Sequence, residues 1–333
     1  MDFHEYINQK IEISNQLLDF IDSEKYDSQE FQELIDFLEN HKIQEDREEL
    51  KSFLHLILNI SKHHHRNPEF FNKIYNIINH FKNEIKQFFS NYDIFNLFKH
   101  SKKILLFLVQ NKMVEFDEPI INYMYGKNNL KCKQFRLFFS PELKTVIDLE
   151  KKEVLEDEIS YISSSIFDNF EEKRQIGEND AYLCKLIRND SVQDFIACVT
   201  KNIISLESTI EPSFYETNSF LIGKKVSLIE YAAFFGSIQI FRFLKMNNVD
   251  LNSSLWTYAI HGKNADIIHL LEDSHVVPTF NNYKECLKES IKCHHNEIAN
   301  YIKNEFINQE DEISKYEKTF GENIFDYGFN YYN

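Results

Sequence analysis

Apolar residues recur at helical spacing along most of this chain, and that spacing limits the fold more than any other feature. Phe31, Leu34, Ile35 and Leu38 follow the i, i+3, i+4, i+7 pattern of one buried helix face. Leu50, Phe53, Leu54, Ile57 and Leu58 repeat it, and so do Phe70, Ile74, Ile77, Ile78 and Phe81. Start signals stand before such stretches. Asn67-Pro68, Ser140-Pro141 and Asp27-Ser28-Gln29-Glu30 each place a side-chain acceptor where the first free N–H groups need one, and Gly126 and Gly177 suit helix ends. The 333 residues contain only 7 glycines and 5 prolines, too few for the many tight turns of a sandwich or barrel. The spacing therefore predicts an all-α protein, with 151–176 a charged bridging helix.

The charge balance narrows the function. Lys and Arg number 37 against 53 Asp and Glu, a net charge of −16. A nucleic-acid binder needs a basic footprint, and a peripheral membrane module needs cations for anionic lipid; this chain is the reverse of both. The longest purely apolar run, Ile104 to Val109, is too short to span a bilayer. Five cysteines (Cys132, Cys184, Cys198, Cys286, Cys293), an odd count without a CxxC pair, predict a reduced, cytoplasmic protein. Neither a G-x-S-x-G elbow nor a P-loop nor a G-x-G-x-x-G turn is present, so no enzyme is expected and no cofactor is called for.

The segment from Ser227 to Asn252 carries the strongest signal. Ser227 and Glu230 have capping-box spacing, Ala232-Ala233 are small enough for close helix packing, and Gly236 suits a left-handed turn. Ile238, Phe241 and Leu244 form a second apolar stripe, and Val249-Asp250-Leu251-Asn252 closes the unit. This segment resembles an ankyrin repeat. Two weaker copies follow, from Ala259 to Leu271 and from Ser290 to Ile302, with Lys263 and His294 where the family carries glycine. Leu183 through Val199 is similar to one more degenerate pair. The whole is similar to the divergent ankyrin-repeat proteins expanded in protists.

The resemblance implies an elongated α-solenoid: a helical region over 1–175, a short degenerate ankyrin stack over 176–306 with a long loop at 205–226, and an acidic aromatic tail over 307–333 that is expected to be disordered or to dock back. It also implies a non-catalytic scaffold that binds a protein partner through the concave inner-helix face. The contacts it points to are Phe234, Phe235, His261 and Lys292, with the hairpin tips Lys224, Lys225, Asn281, Asn282 and Tyr283. A second reading puts Phe234 and Phe235 under the 205–226 loop or against the N-terminal helices. The acidic surface favours a basic partner. The alternatives are a purely architectural protein, or a cryptic catalytic N-terminal domain with repeats that recruit substrates. His63-His64-His65 cannot share one ion while helical and reads as solvated surface or linker, and Cys293-His294-His295 reads as an inter-helix turn. No metal site is expected.

Overall fold

The structure, a computed structural model, describes residues 3–126, 130–160, 167–279 and 282–307. The described residues form an all-α protein of twenty helices, with one two-residue antiparallel ladder. Twelve helices make the N-terminal half: α1 (Phe3–Asp22), α2 (Ser28–Asn40), α3 (Arg47–His63), α4 (Phe70–His80), α5 (Lys82–Phe88), α6 (Asn91–Phe98), α7 (Lys102–Gln110), α8 (Glu118–Tyr125), α9 (Leu130–Phe138), α10 (Ser140–Leu143), α11 (Leu149–Ser160) and α12 (Phe170–Ile176). The apolar faces of α1 to α11 share one core that runs from Ile13 to Leu155. A second core runs from Cys184 to Ile307.

Several starts follow from the sequence. Asp27 accepts from the N–H groups of Gln29 and Glu30, and Asn67 accepts from Glu69. Ser140 does not cap a helix; it is already the first residue of α10, because the chain turns into α10 directly after α9. The charged stretch 151–176 is not one bridging helix either. α11 stops at Ser160, and α12 begins only after a left-handed Asn169. Residues 307–333 of the expected tail lie, after Ile307, outside the described residues.

The C-terminal half is a row of helix pairs: α13 (Tyr182–Arg188) with α14 (Val192–Lys201), α15 (Leu228–Phe234) with α16 (Ile238–Met246), α17 (Leu255–His261) with α18 (Ala265–Asp273), and α19 (Tyr283–Lys292) with α20 (Asn296–Ile302). First helices pack on first helices along the row, and α14, α16 and α18 pack on one another behind them. The turn inside each pair holds one left-handed residue: Asp190 (φ 48°), Gly236 (66°), Lys263 (48°) and His294 (56°). Lys263 and His294 thus adopt the glycine conformation without being glycine. Gly236 has a further constraint, because a Cβ there would stand 2.8 Å from the Gly262 carbonyl oxygen.

Second helices also end alike. After α14, α16 and α18 the chain turns through left-handed Ile203 (φ 53°), Asn248 (60°) and His275 (53°). The residue before each returns a side-chain bond to the carbonyl four back: Asn202 to Cys198, Asn247 to Phe243 and Ser274 to Leu270. The same turn closes α2 at His41-Lys42 and α7 at Asn111-Lys112. The capping box before α15 is complete, with Ser227 and Glu230 bonding each other's backbone N–H. Residues 205–226 form a loop closed by β1 (Thr209–Ile210) pairing with β2 (Val226–Ser227).

Candidate functional site

The ends of the first helices face the long loop. Phe220, carried by that loop, lies parallel on Phe234 (centroids 5.6 Å apart, 8° between planes) and packs on Tyr258 and His261 at 5.1 and 4.2 Å. Phe234 is consequently only 5% exposed and His261 only 2%. Neither is the open concave-face contact that the resemblance implies. The physical reason is local: an apolar ring on a long loop gains more by folding back on two other rings than by staying in water. Phe235 is half-buried against Tyr231 (4.7 Å), with the Arg188 guanidinium 5.9 Å from its ring.

The remaining candidates divide. The Lys292 ammonium lies 3.0 Å from Glu289 Oε1. Asn282 accepts from the Glu285 N–H as the cap of α19, and Tyr283 stacks on Phe306 at 4.2 Å, so both serve the last helix pair rather than open water. Asn281 lies outside the described residues. Lys224 and Lys225 are exposed; the first sits over the Phe220 ring at 3.5 Å and the second donates to Glu211 at 2.6 Å.

Beneath Phe220 lies a polar cluster that neither motif in the sequence announced. His261 Nε2 stands 2.8 Å from Glu289 Oε1, and Cys293 Sγ stands 3.5 and 3.8 Å from the two ring nitrogens of His261. Burial alone would raise the Glu289 carboxyl, but the His261 hydrogen bond and the Lys292 charge hold it down at about 2. Burial pushes His261 below its ordinary range and pushes the Cys293 thiol well above its own. Among the described residues these three are the one set whose ligand atoms lie within 4.8 Å of one another. Ring-nitrogen lone pairs lie in the imidazole plane, so a sulfur almost equidistant from both nitrogens sits over the ring face. That placement aligns neither a proton transfer from thiol to imidazole nor a shared metal ion unless His261 rotates, and Lys292 already neutralises Glu289.

The histidine run lands next to this cluster, not in solvent. α3 ends at His63 and the chain straightens at His64 (φ −71°, ψ 152°), so the three rings leave in different directions. His63 lies within electrostatic reach of Lys292, His261 and Glu289; burial first, then Lys292, hold it down at about 3. His64 is 1% exposed; its Nδ1 donates to the Cys293 carbonyl and its Nε2 to Asp22, both at 2.8 Å. His65 bonds the His261 backbone, and burial, with His64 next, lowers it to about 4. Across the seam His295, in the turn before α20, lies 4.9 Å from the His64 ring and bonds the Ile260 carbonyl at 2.8 Å. Ser219 donates to the Lys62 carbonyl (2.9 Å) and Arg66 to Thr217 Oγ1 (3.3 Å), so the loop grips the same segment from its other side. The two histidine motifs are visible in the sequence; that they face each other is not.

No family model matches this chain, and neither a curated protein nor a solved structure matches it. No helix among the described residues is long and apolar enough to cross a membrane.

Proposed function

We propose that the protein is a non-catalytic scaffold whose C-terminal helix pairs are of the ankyrin type and bind a protein partner. The supporting observation is the recurrence, pair after pair, of one left-handed residue at the same place in the turn, with the capping box at Ser227 and Glu230 ahead of the clearest unit. The accessible part of the expected surface is Phe235 with Lys224 and Lys225; reaching Phe234 and His261 requires the 205–226 loop to move. The net charge of −16 favours a basic partner through long-range steering. The odd cysteine count fits a reducing, cytoplasmic setting.

The test is proximity labelling in the native cell with the full chain and with a variant carrying Phe235→Ala, Lys224→Glu and Lys225→Glu. The wild type should label a defined partner set that the variant loses while it keeps its helix content and a single cooperative unfolding transition. An identical labelled set would overturn this surface. The burial of Phe234 and His261 under the chain's own loop favours a second, purely architectural reading, which that result would support.

A further inference from the structure

The seam between the two halves holds more positive charge than it can add to. Residues 62–67 are wedged between the 205–226 loop and the turns at Lys263 and at Cys293–His295. Cations reach this wedge from each element packed on it: Lys62 at the end of α3, Lys263 in the α17–α18 turn, Lys292 on α19 and Lys224 on the loop. His64 stands among them, its ring against Asp22 and the Cys293 carbonyl. Facing the histidines are two carboxylates, Asp22 at the end of α1 and Glu289 on α19, while Arg66 in the same segment lies within reach of Glu216 and Glu178 on its other side. Asp22 already serves both His64 and Lys263, and Glu289 both His261 and Lys292. Four further imidazoles, those of His63, His65, His261 and His295, are packed into the same space. A proton taken up by His63, His65 or His295 meets cations without a spare anion, and one on His261 has to share Glu289 with Lys292.

We propose that this seam is a proton-operated latch: mild acid favours the state in which residues 62–67 have left the C-terminal turns and their histidines carry charge, which unseats the loop carrying Phe220 and uncovers the first-helix ends. The parts are arranged for that outcome. Residues 62–67 meet the C-terminal turns through hydrogen bonds and ring contacts of histidines beside the Lys263–Asp22 pair, and meet the loop through Arg66 and Ser219. The buried apolar residues on either side belong instead to two separate cores, Phe214 being the loop ring that packs on the first. Charging the seam therefore strains the join before it strains either core. Burial supports the direction, since His63, His65 and His295 are all held below their ordinary range. The inference does not depend on the scaffold reading, because opening can be read without a partner.

Hydrogen exchange of the full chain tests it, with rates corrected for intrinsic pH dependence. Between about pH 7.5 and pH 5.5 the amides of 62–67, 217–221 and 293–295 should lose protection by about tenfold or more, while α7 and α16 keep theirs. His65→Gln with His295→Gln should blunt the loss. Asp22→Asn, which removes the anion shared by His64 and Lys263, should open the seam at neutral pH. Unchanged seam protection in the wild type at about pH 5.5 would overturn the latch. So would simultaneous loss of protection in the seam and both cores, which is global unfolding, or a fully closed seam in Asp22→Asn.

Discussion

Ile203 offers a direct test of the repeated exit turn. It is left-handed (φ 53°) and 93% exposed, so this β-branched residue bears the conformational penalty without any burial in return. The left-handed region costs an ordinary L-residue about 1–2 kcal/mol, and asparagine occupies it with far less strain. Asn248 holds the equivalent place after α16 with φ 60°. Ile203→Asn should therefore stabilise the C-terminal core by about 1 kcal/mol, which raises its melting temperature by roughly 4 °C in a unit of this size. Asn248→Ile should cost a similar amount. Glycine at 203 should gain less than asparagine, because its greater freedom in the unfolded chain takes back about 0.5–1 kcal/mol. Trp256, the single tryptophan, is buried in the second core, so its fluorescence during urea unfolding reads the right half of the molecule. A neutral or destabilising Ile203→Asn, or a neutral Asn248→Ile, would show that the turn relaxes and that the shared geometry stores no strain.

Phe220→Ala should remove the ring that covers Phe234, Tyr258 and His261, cost about 2 kcal/mol, and let the native protein bind a hydrophobic dye at neutral pH; no increase in dye binding would mean the loop is held by other contacts. Zinc should leave the melting temperature unchanged, and a rise of several degrees would mean that His261 rotates to join Cys293 and Glu289 around the ion. Stability should fall as the pH drops below about 6.5, the ordinary histidine value. The sign follows from protonation: His63 and His65 titrate in the fold at about 3 and about 4, so the unfolded chain takes up protons first. Each contributes about 1.4 kcal/mol of loss between neutral pH and pH 5.5, read as a lower urea midpoint; a midpoint that does not move would place both rings in solvent. Asp22 and Glu289, both held at about 2, act in the same direction at lower pH: their support is complete above the ordinary carboxylate value of about 4 and is lost as pH falls through about 2.

Helix content was legible because each helix carries its own apolar stripe and its own stop. The pair beginning at Ser227 was legible to the level of single bonds, since a capping box and a left-handed glycine are local devices. Lys263 and His294 were not, because a turn imposed by packing on both flanking helices overrides the preference of the residue within it. The covering of Phe234 and His261 was not legible for a related reason. Phe234 and His261 sit at first-helix ends as the spacing implies, but their exposure depends on Phe220, which no periodicity ties to them. At His63–His65 the apolar spacing carries a helix through all three residues, whereas the chain leaves the helix at the second.

The seam also repeats a bond that recurs along the helix pairs. The residue before each second helix bonds a carbonyl of the preceding pair: Ser237 to Ile187, Asn264 to Gly236, and His295 to Ile260. Among the described residues no further pair follows α19 and α20 to meet the Cys293 carbonyl. His64 supplies that next rung from the N-terminal half. Helix pairs stacked in a row bury their faces only against neighbours, so a terminal pair needs a cap. Here the cap comes from the other end of the chain. The two cores are thus separate in packing but not in satisfaction: a fragment beginning at 176 would leave Cys293, His294 and His295, all buried in the full chain, facing water without the partner that encloses them.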